Sequence, residues 1–381
     1  MPFNGIFTKG VIPYIASLSG TLFGVEIEAE GKNIPRPDFE EGSEDPDDDE
    51  PMRNDEFRED LIPERWRPVK EHSLRGEGVE YVFRKPYTLE ESLETIDELQ
   101  QMFIKADSWL NGESTRTSTH IHVNMSDCRA GNIATFLATY LLLEEMLFSV
   151  LPPIRQKNLF CLRTRHAPAT LLFWRQLFGL NPAGVDNTNL RYSALSVTSL
   201  FKYGSLEFRG GQGPSMDPGY WAFIKNLVRF FGNLRETAIT NPMPVDFLEK
   251  LQARGPHSFY AEYFHPFFGA VAGVSEFRLF ERGMVSAMTL VKDIQWNEEP
   301  AVLSMFDPSV DAVEAPTLST LEQTWSEIDA LIDSYEPLPT ITVPITPPAQ
   351  AYWTWETASV SPPSPSYYES ILASLPPEES N

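Results

Sequence analysis

Cysteine is nearly absent: Cys128 and Cys161 are the only 2 in 381 residues. They make no disulfide framework and no zinc-type spacing, which suits a reducing cytoplasm, the expected location. Positive charge is scarce too. The 30 basic residues are outnumbered by 54 acidic ones, for a formal net charge of -24. That sign is a poor match for a phosphate backbone, so no nucleic-acid partner is expected. The N-terminus lacks a basic stretch followed by an apolar core, so no signal peptide is expected. Long apolar runs are also missing. Phe136 to Leu151 comes nearest to a membrane span, but Glu144 and Glu145 interrupt it, and no membrane partner is expected. A hydrophobic share of 42% still suffices for a core, in one large α/β or α+β domain or two ordinary ones.

What is present begins with Gly24-Val25-Glu26-Ile27-Glu28, inside the run Leu22 to Ala29. Branched and aromatic residues make it a β-strand. Alternation places Glu26 and Glu28 on one face, Val25 and Ile27 on the other. Two neighbouring carboxylates repel, and burying them unpaired costs several kcal/mol. Either the strand is an edge whose glutamate face is wet, or the pair awaits a cation.

Further strands are expected at Val79 to Phe83, Thr119 to Asn124, Arg191 to Leu200 and Gly204 to Arg209, the last two joined by a turn at Lys202-Tyr203-Gly204. Thr88 and Glu91 form a capping box that predicts a helix from about Leu89 to Ala106. Helices are also expected over 130–150 and 170–178, from Asp217-Pro218 onward, and near 245–253 and 318–333. The stretch from Gly31 to Arg65 is crowded with acids and prolines and reads as a disordered insertion; it has no glycine-turn register for a calcium loop. The organisation expected is an arm at 1–20, a main domain at 21–335 containing that insertion, and a proline-rich disordered tail at 336–381, where Tyr367 to Leu375 has the pattern of a short partner-binding helix.

The strands carry a shared polar pattern: Glu26/Glu28, Glu80, His120/His122 and Glu207/Arg209. A sheet face so charged is unsuited to packing and suits the floor of a cleft for a divalent metal and phosphates. Carboxylates with one or two imidazoles favour magnesium or manganese over zinc. An arginine beside such ions offers a planar fork to a phosphoryl group. Glu276-Phe277-Arg278 repeats the Glu-Phe-Arg tripeptide, but without the preceding strand or the glycine-rich exit, and reads as a structural copy.

The ordered set Phe23-Gly24-Val25-Glu26-Ile27-Glu28, Glu71-His72-Ser73-Leu74 with Glu80-Tyr81-Val82, Ser118-Thr119-His120-Ile121-His122-Val123, Arg191-Tyr192-Ser193-Ala194-Leu195 and Leu206-Glu207-Phe208-Arg209 resembles the phage and bacterial amidoligase family. The resemblance covers roughly residues 21–235. It implies an α+β fold of glutamine synthetase type, a curved antiparallel sheet packed by helices. It also implies an ATP-dependent carboxylate–amine ligase that forms an amide through an acyl phosphate. By that likeness Glu26, Glu28, Glu80, His120 and Glu207 hold Mg2+ or Mn2+, and Arg209 meets the γ-phosphate. His122, Arg155 and Arg191 fall to substrate carboxylate or phosphate contact, and the partners are a carboxylate and an amine, small or peptidic. The chain departs from the family pattern at Glu71-His72-Ser73, usually Asp-Gly-Ser, and at Thr117-Ser118, usually Cys-Gly.

Two rival readings stand beside this one. A non-catalytic relative would use the fold for binding or assembly. A cupin-type metal enzyme would need a further histidine beside His120 and His122, from among His166, His257 and His265.

Overall fold

The computed structural model describes residues 18–37, 58–71, 73–75, 78–166, 170, 174 and 192–306, which fall in one compact unit. Most of the N-terminal arm, the centre of the acidic insertion, His72, Arg191, most of the helix expected at 170–178, the helix expected at 318–333 and the proline-rich tail lie outside the described residues.

Eight strands are described: β1 Phe23–Ala29, β2 Gly31–Lys32, β3 Trp66–Lys70, β4 Val79–Phe83, β5 Trp109–Leu110, β6 Ser118–Asn124, β7 Leu195–Ser196 and β8 Ser205–Gln212. Six of them form one sheet in the order β3-β4-β1-β6-β8-β7, and every ladder in it is antiparallel. With the helices this makes a mixed α+β architecture. Period-two alternation sorts the two faces. Phe23, Val25, Ile27, Val79, Tyr81, Ile121, Val123, Leu206 and Phe208 are buried on the core side. Each such side chain contributes about 1.5–3 kcal/mol by leaving water.

Helices cover that side. The first, α1 Leu89–Lys105, starts at the Thr88–Glu91 capping box read from the sequence. It is followed by α2 Ala130–Val150, α3 Pro153–Gln156, α4 Ser199–Tyr203 and α5 Pro218–Thr240. The start of α5 is capped by the Asp217 side chain, which accepts from the Gly219 amide at 2.8 Å. Beyond it come α6 Pro244–Arg254, α7 Pro256–Tyr263, α8 His265–Phe268 and α9 Glu276–Phe306. The core between sheet and helices is aromatic. Phe103 of α1 lies edge-on to Tyr81, and Phe231 of α5 lies 4.9 Å from Phe208. Helix α2 packs behind α5, and α9 packs on α2.

Several expectations need correction. Among the described residues of the strand expected over Arg191 to Leu200, Leu195–Ser196 forms a strand; Ser199–Tyr203 is helical, and Gly204, at φ 70°, ends that helix and turns the chain into β8. The insertion expected to be disordered from Gly31 to Arg65 is ordered at both ends. Gly31–Lys32 pairs with Trp109–Leu110, and Arg58 Nη1 donates to the Ala106 carbonyl at 2.9 Å. Gly131–Val150 does have the length and apolarity of a membrane span, contrary to expectation, yet 83% of its most apolar window is buried inside the protein.

Candidate metal and phosphate site

The opposite face of the sheet gathers the polar residues, and register explains how. Glu26 stands opposite His120 on β6 and Val82 on β4, while Glu28 stands opposite Glu80. His122 stands opposite Gly24 on one side and Glu207 on the other. Gly24 matters here because a Cβ at that position would come within 3.3 Å of the His122 Cβ. Between Thr119 and Ile121 the pairing slips, so that β8 carries an extra residue opposite His120. Such a bulge twists a strand locally and redirects its side chains beside a site.

Two overlapping ligand groups result. Glu26, Glu80 and His120 each bring one ligand atom within 4.8 Å of the others, and so do Glu26, His122 and Glu207. Glu26 belongs to both. Its Oε2 lies 2.9 Å from His120 Nδ1, and its Oε1 lies 3.3 Å from His122 Nε2. These are hydrogen-bond and ion-pair distances, and adjacent ligands on an octahedral ion with bonds of about 2.0–2.1 Å also stand roughly 3 Å apart, so the same atoms are close enough to share a small hard cation. His122 Nε2 is buried and meets Glu26 Oε1 as an ion-pair contact at 3.3 Å without well-formed hydrogen-bond geometry. A metal ion held with Glu26 and Glu207 would give that nitrogen a better-aligned partner.

The charges respond to this crowding. Burial would raise the Glu26 carboxyl, but the charge of His122 and the close contacts of both histidines outweigh it and hold the group well below the usual carboxylate range. Glu80 gets less help, from Arg209. Burial first, then the carboxylates of Glu26 and Glu28, push it up to about 8. Burial would likewise raise Glu207, yet Arg209 and then the two histidines hold it below its ordinary value. For His122 burial works downward, but Glu26 and Glu207 draw it above its ordinary value.

Hydroxyl and guanidinium groups frame the acids. Ser199 Oγ donates to Glu207 Oε2 at 2.7 Å, and Arg209 Nη1 donates to Glu207 Oε1. Arg209 Nε has no hydrogen-bond partner, so part of its fork is unspent. His122 Nδ1 meets Ser205 Oγ at 3.1 Å, and the ring of Tyr203, a half-exposed residue of α4, stands edge-on to His122.

The residues expected from the sequence thus separate into groups. Glu26, Glu80, His120, Glu207 and Arg209 converge. His122, expected at a substrate contact, joins a ligand group. Glu28 belongs to neither group; its Oε2 accepts from Ser118 Oγ at 2.5 Å. Arg155 is 1% exposed and donates to the backbone carbonyls of Arg209 at 2.6 Å and Thr117 at 3.4 Å, tying the two strands at the rim of the site. Glu71 Oε1 accepts from the Ser73 amide at 2.9 Å, closing its own turn. Ser118, Ser199 and Ser205 were not anticipated. Alternation gave a signal for Ser118, which shares a face with His120; nothing local marked Ser199 or Ser205. Compared with known proteins, the chain matches no family model and no curated protein.

Proposed function

We propose that this chain is an ATP-dependent carboxylate–amine ligase with a glutamine synthetase-like fold, related to the amidoligases. One observation carries the reading: two ligand groups share Glu26 on one face of an antiparallel sheet, with Arg209 paired to Glu207 at their edge. Three carboxylates with two imidazoles suit Mg2+ or Mn2+, which when bound would neutralise phosphate charge and polarise the phosphoryl oxygens.

The chain's own residues then have distinct tasks. Glu26, Glu80, His120, His122 and Glu207 hold the divalent ions. Arg209, held in place by Glu207 and indirectly by Ser199, meets the transferring phosphoryl group. The substrate carboxylate attacks the γ-phosphorus, and the bond to ADP breaks, giving an acyl phosphate. The amine then attacks the acyl carbon, phosphate leaves, and the ammonium proton passes to a nearby base. Activation is required because a carboxylate is a poor electrophile.

Each ligand group contains a single imidazole, and His265 and His257 are engaged by Glu276 instead, at 2.8 and 3.6 Å. That favours the ligase over a cupin-type centre. The test is ADP release with Mg2+ or Mn2+ across a matrix of amino acids, polyamines and peptides. We expect metal-dependent turnover that Glu26→Ala abolishes, together with loss of the metal-induced rise in Tm. Unchanged turnover in that variant would refute the assignment. A full matrix without turnover, alongside no thermal shift from ATP and Mg2+, would point to a non-catalytic relative.

A further inference from the structure

Ser118 opens β6 on the face shared by His120 and His122, and it is 5% exposed. Its hydroxyl has two partners. Oγ donates to Glu28 Oε2 at 2.5 Å and lies 2.8 Å from His120 Nε2. A serine hydroxyl has one hydrogen and two lone pairs. Glu28 takes the hydrogen, so toward His120 the hydroxyl can only accept. Nε2 therefore carries a hydrogen. The other nitrogen, Nδ1, is hydrogen-bonded to Glu26 Oε2 at 2.9 Å and lies 3.5 Å from Glu207 Oε1, so it is the ring atom that faces the carboxylates.

We propose that Ser118 is a positioning residue: anchored by Glu28, it fixes the tautomer and ring orientation of His120 so that Nδ1 is the atom presented to a divalent cation held with Glu26 and Glu80. The inference rests on the metal-site reading above and specifies which atom of His120 serves it. In the opposite tautomer a lone pair on Nε2 would face a lone pair on Oγ, leaving buried polar atoms unsatisfied. The Glu28–Ser118–His120 chain also explains why Glu28, 7% exposed, stands outside both ligand groups. It acts through a hydroxyl, one step behind the imidazole. Outer partners of this kind orient a metal-ligating histidine and raise its basicity.

The tautomer is read directly by NMR of the full chain labelled with 15N-histidine, first metal-free and then with 113Cd2+ as the probe ion. The expected spectrum has hydrogen on Nε2 of His120 in both states, with cadmium coupling at Nδ1. Hydrogen on Nδ1 with a bare Nε2, or cadmium coupling at Nε2, would overturn the proposal, as would failure of Cd2+ to bind. Ser118→Ala should weaken Mn2+ binding by about 10–100-fold, and Ser118→Thr, which keeps the hydroxyl, should restore it. Unchanged Mn2+ affinity and tautomer in Ser118→Ala would also sink the idea. Because the wild-type spectrum needs no variant, a folding defect in Ser118→Ala leaves the question answerable. The expected spectrum without ADP release would count against the ligase and spare the Ser118 role; turnover with the reversed tautomer would do the opposite.

Discussion

The tripeptide Glu-Phe-Arg occurs twice in this chain, and its two copies have different fates. In β8, Phe208 is fully buried against Phe231, and the alternation of a strand throws Glu207 and Arg209 together onto the other face. At the start of α9, Phe277 is 58% exposed and Glu276 bonds His265 instead of the following arginine. In a helix, residues two apart point in different directions, so the acid and the base cannot meet as they do in β8. Identical side chains therefore become a site or a surface according to period and neighbours.

The largest expected contrast is catalytic. Arg209→Ala should lower ADP release by about 10³-fold or more, the order an arginine contributes at a transferring phosphoryl group. Arg278→Ala should leave it unchanged. Equal losses in steady-state assays would mean that the copy in β8 has no special role. Stability comes next. Phe208→Ala should cost about 3–5 kcal/mol in urea melts, as buried aromatics do. Phe277→Ala should stay within about 0.5 kcal/mol.

A smaller effect concerns pH. Glu80, pushed up to about 8 from 4.5 by burial and by its acidic neighbours, is raised by folding. The metal-free fold therefore has its full contribution from this group below about pH 4.5 and loses it as pH rises toward about 8. In EDTA, Glu80→Gln should melt above wild type near pH 8 and level with it near pH 4. A variant level with wild type near pH 4 but melting below it near pH 8 would show that the ionised carboxylate helps the metal-free fold.

Much of this was legible because strand period and register are local facts. The alternation in β1, β4, β6 and β8 places the acids and imidazoles on one face from sequence alone, and the Thr88–Glu91 pair marks the start of α1. Long-range pairing was not legible. Gly31–Lys32 is held by Trp109–Leu110, far along the chain, so its surroundings looked like a loop. Trp66–Lys70 carries Pro68, which speaks against a central strand, yet β3 is an edge strand, where proline is tolerated. Helix α9 went unread because Pro300 and a run of acids break its pattern in the sequence. The serine partners of Glu28, Glu207 and His122 emerge only once β6, α4 and β8 are brought together.

Glu26 contributes to both ligand groups, and this couples them. An ion drawing electron density from one oxygen of that carboxylate leaves less for a second ion at the other, so occupancy at one position is felt at its neighbour. Calorimetry with Mn2+ should then resolve two unequal steps, a strong one and a weaker successor. Two identical, independent steps would mean that this carboxylate answers to one ion alone.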